Sequence, residues 1–222
     1  MHDDKSNACF SLYYCCSSKK NILVVVIVLG LILIFLSILG VKKYNIIKEI
    51  IQKSDEYCNK ENVYHKISAT DSSLAYVELF KNKEKEKIVV EKNEDKTKLI
   101  QYITTDGYKT YFEDTNGEIT EMSQNQKIFP IDTITIYLVF KDRANMFFNS
   151  IFANIKSEKD GDKEYFVITD INCQATEYGT KAKYYINKEN GLVEKIEMKH
   201  EDNSVSIVTH EYKFDVVTDK DF

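Results

Sequence analysis

The sequence predicts an α+β protein: an N-terminal transmembrane helix followed by a largely antiparallel β domain with strands long enough to curve. Three observations predict it. An uncharged, almost wholly apolar run extends from Ile22 to Val41. Beyond about Asn62 the apolar residues alternate with polar ones, the period of a half-buried strand. Between these runs stand Asp106-Gly107, Asn116-Gly117 and Asn190-Gly191, dipeptides that supply the positive φ tight hairpins need.

At 222 residues the chain has room for one membrane segment and one domain. Its 30 basic and 35 acidic residues give a formal charge of −5, which argues against a dedicated nucleic-acid binder. Five cysteines are too few for a disulfide-framework mini-protein, and 43% hydrophobic residues suffice for a core. Arg143 is the only arginine. With Lys, Asn, Ile and Tyr all abundant, the lysine-rich stretches reflect an AT-rich coding sequence rather than a ligand.

Residues 1–20 form a short tail and residues 21–41 the transmembrane helix. A helical run of that length spans about 30 Å, the hydrocarbon thickness of a bilayer. No small-x-small cleavage site follows the run, and Cys15 and Cys16 precede it, so it reads as an uncleaved signal-anchor. Lys5, Lys19 and Lys20 flank it on one side and Lys42, Lys43, Lys48 and Lys53 on the other. The cation count alone slightly favours a cytoplasmic C-terminal side. A long folded domain after an N-terminal apolar segment favours the opposite, a cytoplasmic tail and an extracytoplasmic domain, and that orientation is the expectation. Cys9, Cys15 and Cys16 are either acylation sites in a eukaryote or reduced thiols in a bacterium.

Residues 42–60 have helical spacing at Tyr44, Ile47, Ile50, Ile51 and Tyr57, a stalk and first helix that can continue the membrane helix. Residues 61–222 form the β domain. Strands are expected over 63–69, 75–80, 85–92, 97–104, 107–114 and 117–122, and again over 164–171, 181–187, 192–200 and 204–217. Between the two groups, Phe140, Ala144, Phe147, Phe148, Ile151, Phe152 and Ile155 trace one face of an amphipathic helix expected to pack on the sheet. Runs of strands with segregated helices indicate an antiparallel α+β arrangement.

A resemblance sharpens this expectation. The segment YYINKENGLVEKIEM (184–198), through Ile186, Lys188, Gly191, Leu192 and Lys195, resembles a strand–turn–strand element of the outer-membrane lipoprotein carrier superfamily (LolA/LolB-like, with the RseB N-terminal domain). DGYKTYFEDTNGEITEM (106–122) resembles another of its hairpins. Asn187 stands where the family usually has Asp, and Val193 where it has Pro. The resemblance implies a curved antiparallel sheet, a half-open β-barrel, wrapped round one or two helices about an apolar cavity. A Lys-rich, membrane-anchored version resembles uncharacterised envelope proteins of low-GC Gram-positive bacteria.

Signals for catalysis are weak. The sequence holds no G-x-S-x-G, G-x-x-x-x-G-K, G-x-G-x-x-G or H-E-x-x-H. His200 and His210 fall on consecutive strands; with Glu197 or Glu211 they could hold a metal, and either could sit beside Cys173 as a thiol–imidazole pair. Surface or strand-edge histidines are the commoner outcome for such spacing. Cys58 and Cys173 are the two cysteines beyond the membrane run and form a candidate disulfide, with buried free thiols the alternative. The sequence is rich in aromatics, 15 Tyr and 12 Phe. They read as cross-strand packing, or as the lining of a cleft for an acyl chain or apolar peptide. Candidate cavity residues are Phe147, Phe148, Ile151, Phe152, Tyr102, Phe112 and Tyr184.

The expected function is therefore a membrane-anchored extracytoplasmic binding module, without enzymatic activity or a cofactor, for a lipid, lipopeptide or apolar partner segment. A structural or sensory envelope protein with a protein partner and no small ligand is the alternative.

Overall fold

The computed structural model describes residues 7–70, 72–124, 126–128, 153–169 and 181–222, with the backbone alone at 7–20, 58 and 181. A single helix, α1 (Asn7–Cys58), runs unbroken for 52 residues, through the apolar run and the stalk and back into the expected tail. The sequence contains one proline, Pro130, so no ring interrupts it. The side chains of Ile22 to Val41 are exposed all round, Leu33 at 64% and Ile38 at 65%. Ile47 and Ile50 are buried completely or nearly so. One helix thus passes from an exposed stretch long and apolar enough to cross a membrane to a stretch packed against the sheet.

Among the described residues eleven strands form one open, curved, wholly antiparallel sheet. The first six make a meander: β1 (Asn62–Ala69), β2 (Leu74–Asn82), β3 (Lys85–Lys92), β4 (Lys98–Thr104), β5 (Gly107–Glu113) and β6 (Ile119–Met122). The last five make a second: β7 (Asn154–Asp160), β8 (Lys163–Thr169), β9 (Lys181–Asn187), β10 (Val193–Lys199) and β11 (Val205–Phe214). The spatial order is β6-β5-β4-β3-β2-β1-β11-β10-β9-β8-β7, so β1 and β11 join the meanders at the middle of the sheet. Their register sets His65 opposite Tyr212 and Ile67 opposite His210. The expected turn glycines take positive φ: +125° at Gly107, +82° at Gly117 and +72° at Gly191. Bulges at Leu74/Tyr76 and Val193/Lys195 bend their strands.

The far end of one expected element is strand instead of helix. The amphipathic helix was to reach Ile155, but Ile155 lies in β7, opposite Ile168 of β8. The segment NIKSEKD is edge strand, closed onto β8 through Gly161 at φ +59°. Its charges at Lys156, Glu158, Lys159 and Asp160 keep a sheet edge from pairing with other chains, and they hide the alternation in the sequence. Phe140 to Phe152 of that helix lie outside the described residues.

Alternation gives the sheet two faces. The inner face carries two apolar clusters. On the second meander, Ile168, Tyr184, Ile186 and Val193 pack with Ala153 and with Ile47 and Ile50 of α1. On the first, Val77, Leu79, Ile88 and Val90 pack with Ile67, Leu99, Ile103 and Ile128. Ile128 is held there by Gln101, whose Oε1 accepts from its N–H at 3.0 Å and whose Nε2 donates to the Gln126 carbonyl at 2.9 Å. A C-terminal strap follows β11. Asn62 and Val217 exchange two hydrogen bonds, and Lys85 and Lys87 reach Asp219 and the Asp221 carbonyl.

Candidate ligand-binding face

The inner face is built around α1. Lys43 Nζ donates to the Ala153 carbonyl at 2.7 Å, and Lys53 Nζ, further along the helix, donates to the Lys188 carbonyl at 2.6 Å. The helix therefore crosses the second meander from the start of β7 to the β9–β10 turn. At that turn Gly191 meets the helix backbone: a β-carbon would lie 2.9 Å from the Ser54 nitrogen and collide with the Ile50 carbonyl oxygen. The family-like segment is thus the turn that grips the helix. Asn187 organises it. Its Oδ1 accepts the Glu189 N–H at 2.8 Å and its Nδ2 donates to Glu194 at 2.9 Å. An Asp here would set a carboxylate against Glu194, so the amide suits this chain. Burial pushes the Glu194 carboxyl up, but hydrogen bonds from Asn187, Lys163 and Tyr165 outweigh it and hold the group below its ordinary range.

At the junction of the meanders the inner face turns polar. His65 is 1% exposed and His210 5%, and His65 Nε2 lies 3.1 Å from His210 Nδ1. The outward nitrogens, His65 Nδ1 and His210 Nε2, are buried with no hydrogen-bond partner among the described residues. Burial lowers both rings, His65 to about 3 with the help of His210's charge, and His210 to about 4. Both are neutral at pH 7, one donating to the other. The rings continue into an aromatic ladder. Tyr212 stacks on His65 at 4.3 Å between centroids, Phe214 lies 6.4 Å beyond Tyr212, and Tyr57 of α1 tilts against Phe214 at 4.9 Å. A cavity of about 40 Å³ opens among Tyr57, Val63, His65, Leu79, Leu192 and Tyr212, with Lys60 and Lys81 also lining it.

The expected cavity residues separate. Tyr184 is buried on the inner face against α1. Phe112 lies opposite Leu99 and shares that face. Tyr102 lies opposite Lys109 and points to the other side, where it meets Tyr111 edge-on at 5.9 Å. Phe147, Phe148, Ile151, Phe152 and Cys173 lie outside the described residues, as does the side chain of Cys58. His200 does not approach His210; its Nε2 pairs with Ser206 Oγ at 2.6 Å. The His65–His210 contact was missed because it joins strands 145 residues apart. Among the described residues no group of three His, Cys, Asp or Glu side chains could hold a metal.

The outer face has its own order. Tyr64 donates to Glu78 and Tyr76 to Glu91, and burial together with these bonds raises both hydroxyls far above their ordinary values. Burial and a bond to Glu197 push Tyr185 up to about 12. Lysines cap these rings, Lys195 Nζ at 3.8 Å from the Tyr185 centroid and Lys66 at 4.3 Å from that of Tyr76. Much of the tyrosine excess is thus spent in hydrogen-bonded, lysine-capped ladders.

No family model matches the chain, and no curated protein matches it. Among solved structures it is similar to the MucA/MucB complex of Pseudomonas aeruginosa, at 6% identity and a TM-score of 0.44 over 79% of this chain; it spans 59% of that chain's length. It is similar to LprF of Mycobacterium bovis, at 8% identity and a TM-score of 0.43, covering 80% of this chain and 94% of that one. A LolA superfamily protein of Nitrosomonas europaea shows 13% identity and a TM-score of 0.25, covering 79% and 96%.

Proposed function

We propose that the protein is a membrane-anchored, extracytoplasmic binding module whose inner face holds a lipid, lipopeptide or apolar partner segment. In this reading residues 1–20 are a cytoplasmic tail, 21–41 span the membrane, 42–60 are the stalk and first helix, and 61–222 are the half-barrel that binds. The observation that carries it is the path of α1. A helix with apolar side chains exposed from Ile22 to Val41 continues without a break onto the inner face of an open sheet, where Ile47 and Ile50 are buried. In this reading the surface suited to apolar segments is tied directly to the bilayer. Binding rather than catalysis is favoured by the histidine pair, which is neutral and bonded to itself rather than to a nucleophile or carboxylate.

The test is photocrosslinking of the full chain in nanodiscs of phosphatidylcholine carrying a diazirine at the acyl terminus. The reading expects labelled peptides from the inner face, and from the 140–152 segment, beyond those of residues 21–41. Labelling confined to residues 21–41 overturns it.

A second reading, a structural or sensory envelope protein without a small ligand, has one observation in its favour. The part of the inner face beneath α1 is filled by the chain's own Ile47, Ile50 and Tyr184. It expects the same crosslinks to be absent and a protein partner to be recovered instead.

A further inference from the structure

Among the described residues the two meanders share one strand pairing, β1 with β11. The joint is secured twice. The C-terminal strap ties the end of β11 to Asn62 at the start of β1 and to Lys85 and Lys87 of β3. On the inner face, at the border between the two apolar clusters, His65 of β1 bonds to His210 of β11. This bond needs one proton between two facing nitrogens. A second proton makes both nitrogens donors, abolishes the bond and sets two like charges 3.1 Å apart on buried rings.

Little around the pair could accommodate that charge. Tyr212 stacks on His65 from β11, Lys81 of β2 and Lys60 beyond α1 line the same small cavity, and Tyr57 faces it from α1. On the other side His210 borders a cavity of about 330 Å³ with Tyr165, Tyr185, Lys159 and Lys195. The carboxylates of that cavity are Glu158, Asp160 and Glu194, and Glu194 is already held by Asn187, Lys163 and Tyr165. No carboxylate among the described residues hydrogen-bonds either ring.

We propose that His65 and His210 form an acid-sensitive latch: neutral, they pin β1 to β11 on the inner face; protonated, they part, and the half-barrel opens along that seam. Burial supports this by holding both rings below their ordinary value, so the closed seam resists protons that an opened seam accepts. The closed form is fully favoured above the ordinary histidine range and loses ground as pH falls through it. The latch is a property of the joint and does not depend on what the inner face binds.

The test is amide hydrogen exchange on the full chain in detergent micelles at about pH 7 and about pH 5, corrected for intrinsic rates. The expected result is about a tenfold or greater rise in opening at β1 and β11, with β3 and β4 little changed. In His65→Gln/His210→Gln the difference between the two pH values disappears. The proposal is overturned if wild-type β1 and β11 do not respond, if all strands respond alike, or if the response survives in the double variant. Should that variant fail to fold, ring ¹⁵N shifts of the wild-type protein decide. Rings that gain protons over the range in which the seam opens support the latch, and rings that stay neutral while it opens overturn it.

Discussion

Gly191 of the β9–β10 turn lies against Ile50 of α1 with no room for a β-carbon between its Cα and the Ile50 carbonyl oxygen, and it holds φ at +72°. Sheet and α1 therefore meet backbone to backbone, beside the Lys53–Lys188 bond.

Gly191→Ala combines left-handed strain with this collision. A loss of about 2–4 kcal/mol is expected, read from the urea midpoint of the full chain in detergent micelles. Ile50→Ala, which empties the other side of the contact, should cost about 2–5 kcal/mol. An unchanged midpoint in Gly191→Ala would mean that the turn does not grip the helix.

Asn187→Asp tests the organisation of that turn. The new carboxylate loses the donor to Glu194 and faces its charge, an expected loss of about 1–3 kcal/mol at neutral pH. The deficit should shrink as pH falls through the carboxylate range and the introduced side chain takes up a proton. A deficit that is independent of pH contradicts the charge argument.

Stability should also follow the histidine pair. Both pKa values are lowered on folding, so the unfolded chain binds more protons below about pH 6.5 and stability falls as pH drops from there toward about 4 and about 3. Each ring contributes up to about 1.4 kcal/mol per pH unit. The diagnostic window is about pH 5 to 6.5, above the range in which most carboxylates titrate. Denaturant midpoints across it should slope in the wild type and lie flat in His65→Gln/His210→Gln.

Phe148→Asp addresses the candidate cavity residues on the 140–152 segment. If the apolar face of that segment only packs on the sheet, the charge unfolds the domain. If it lines the binding face, the protein stays folded by circular dichroism and loses acyl-chain crosslinking.

Legibility in the sequence followed the range of the interactions. The apolar helical run, the inward-facing Ile47 and Ile50 and the glycine turns are set by neighbouring residues, and helix, burial and positive φ fall where local pattern put them. β7 was hidden because an edge strand protected by charges reads as a polar loop. Tyr102 groups with Phe112 and Tyr184 on aromatic character, although strict alternation with Leu99, Gln101 and Ile103 places it on the outer face. The pairing of His65 with His210 rather than His200 with His210 depends on closure between the first and last strands. No local period encodes that.

The most direct measurement is native mass spectrometry of the full-length protein, purified in mild detergent from its own host membranes. A binding inner face predicts a stoichiometric adduct that survives detergent removal and, after organic extraction, proves to be a lipid, lipopeptide or apolar peptide. A folded protein at its bare mass, with no adduct under any release condition, would contradict it.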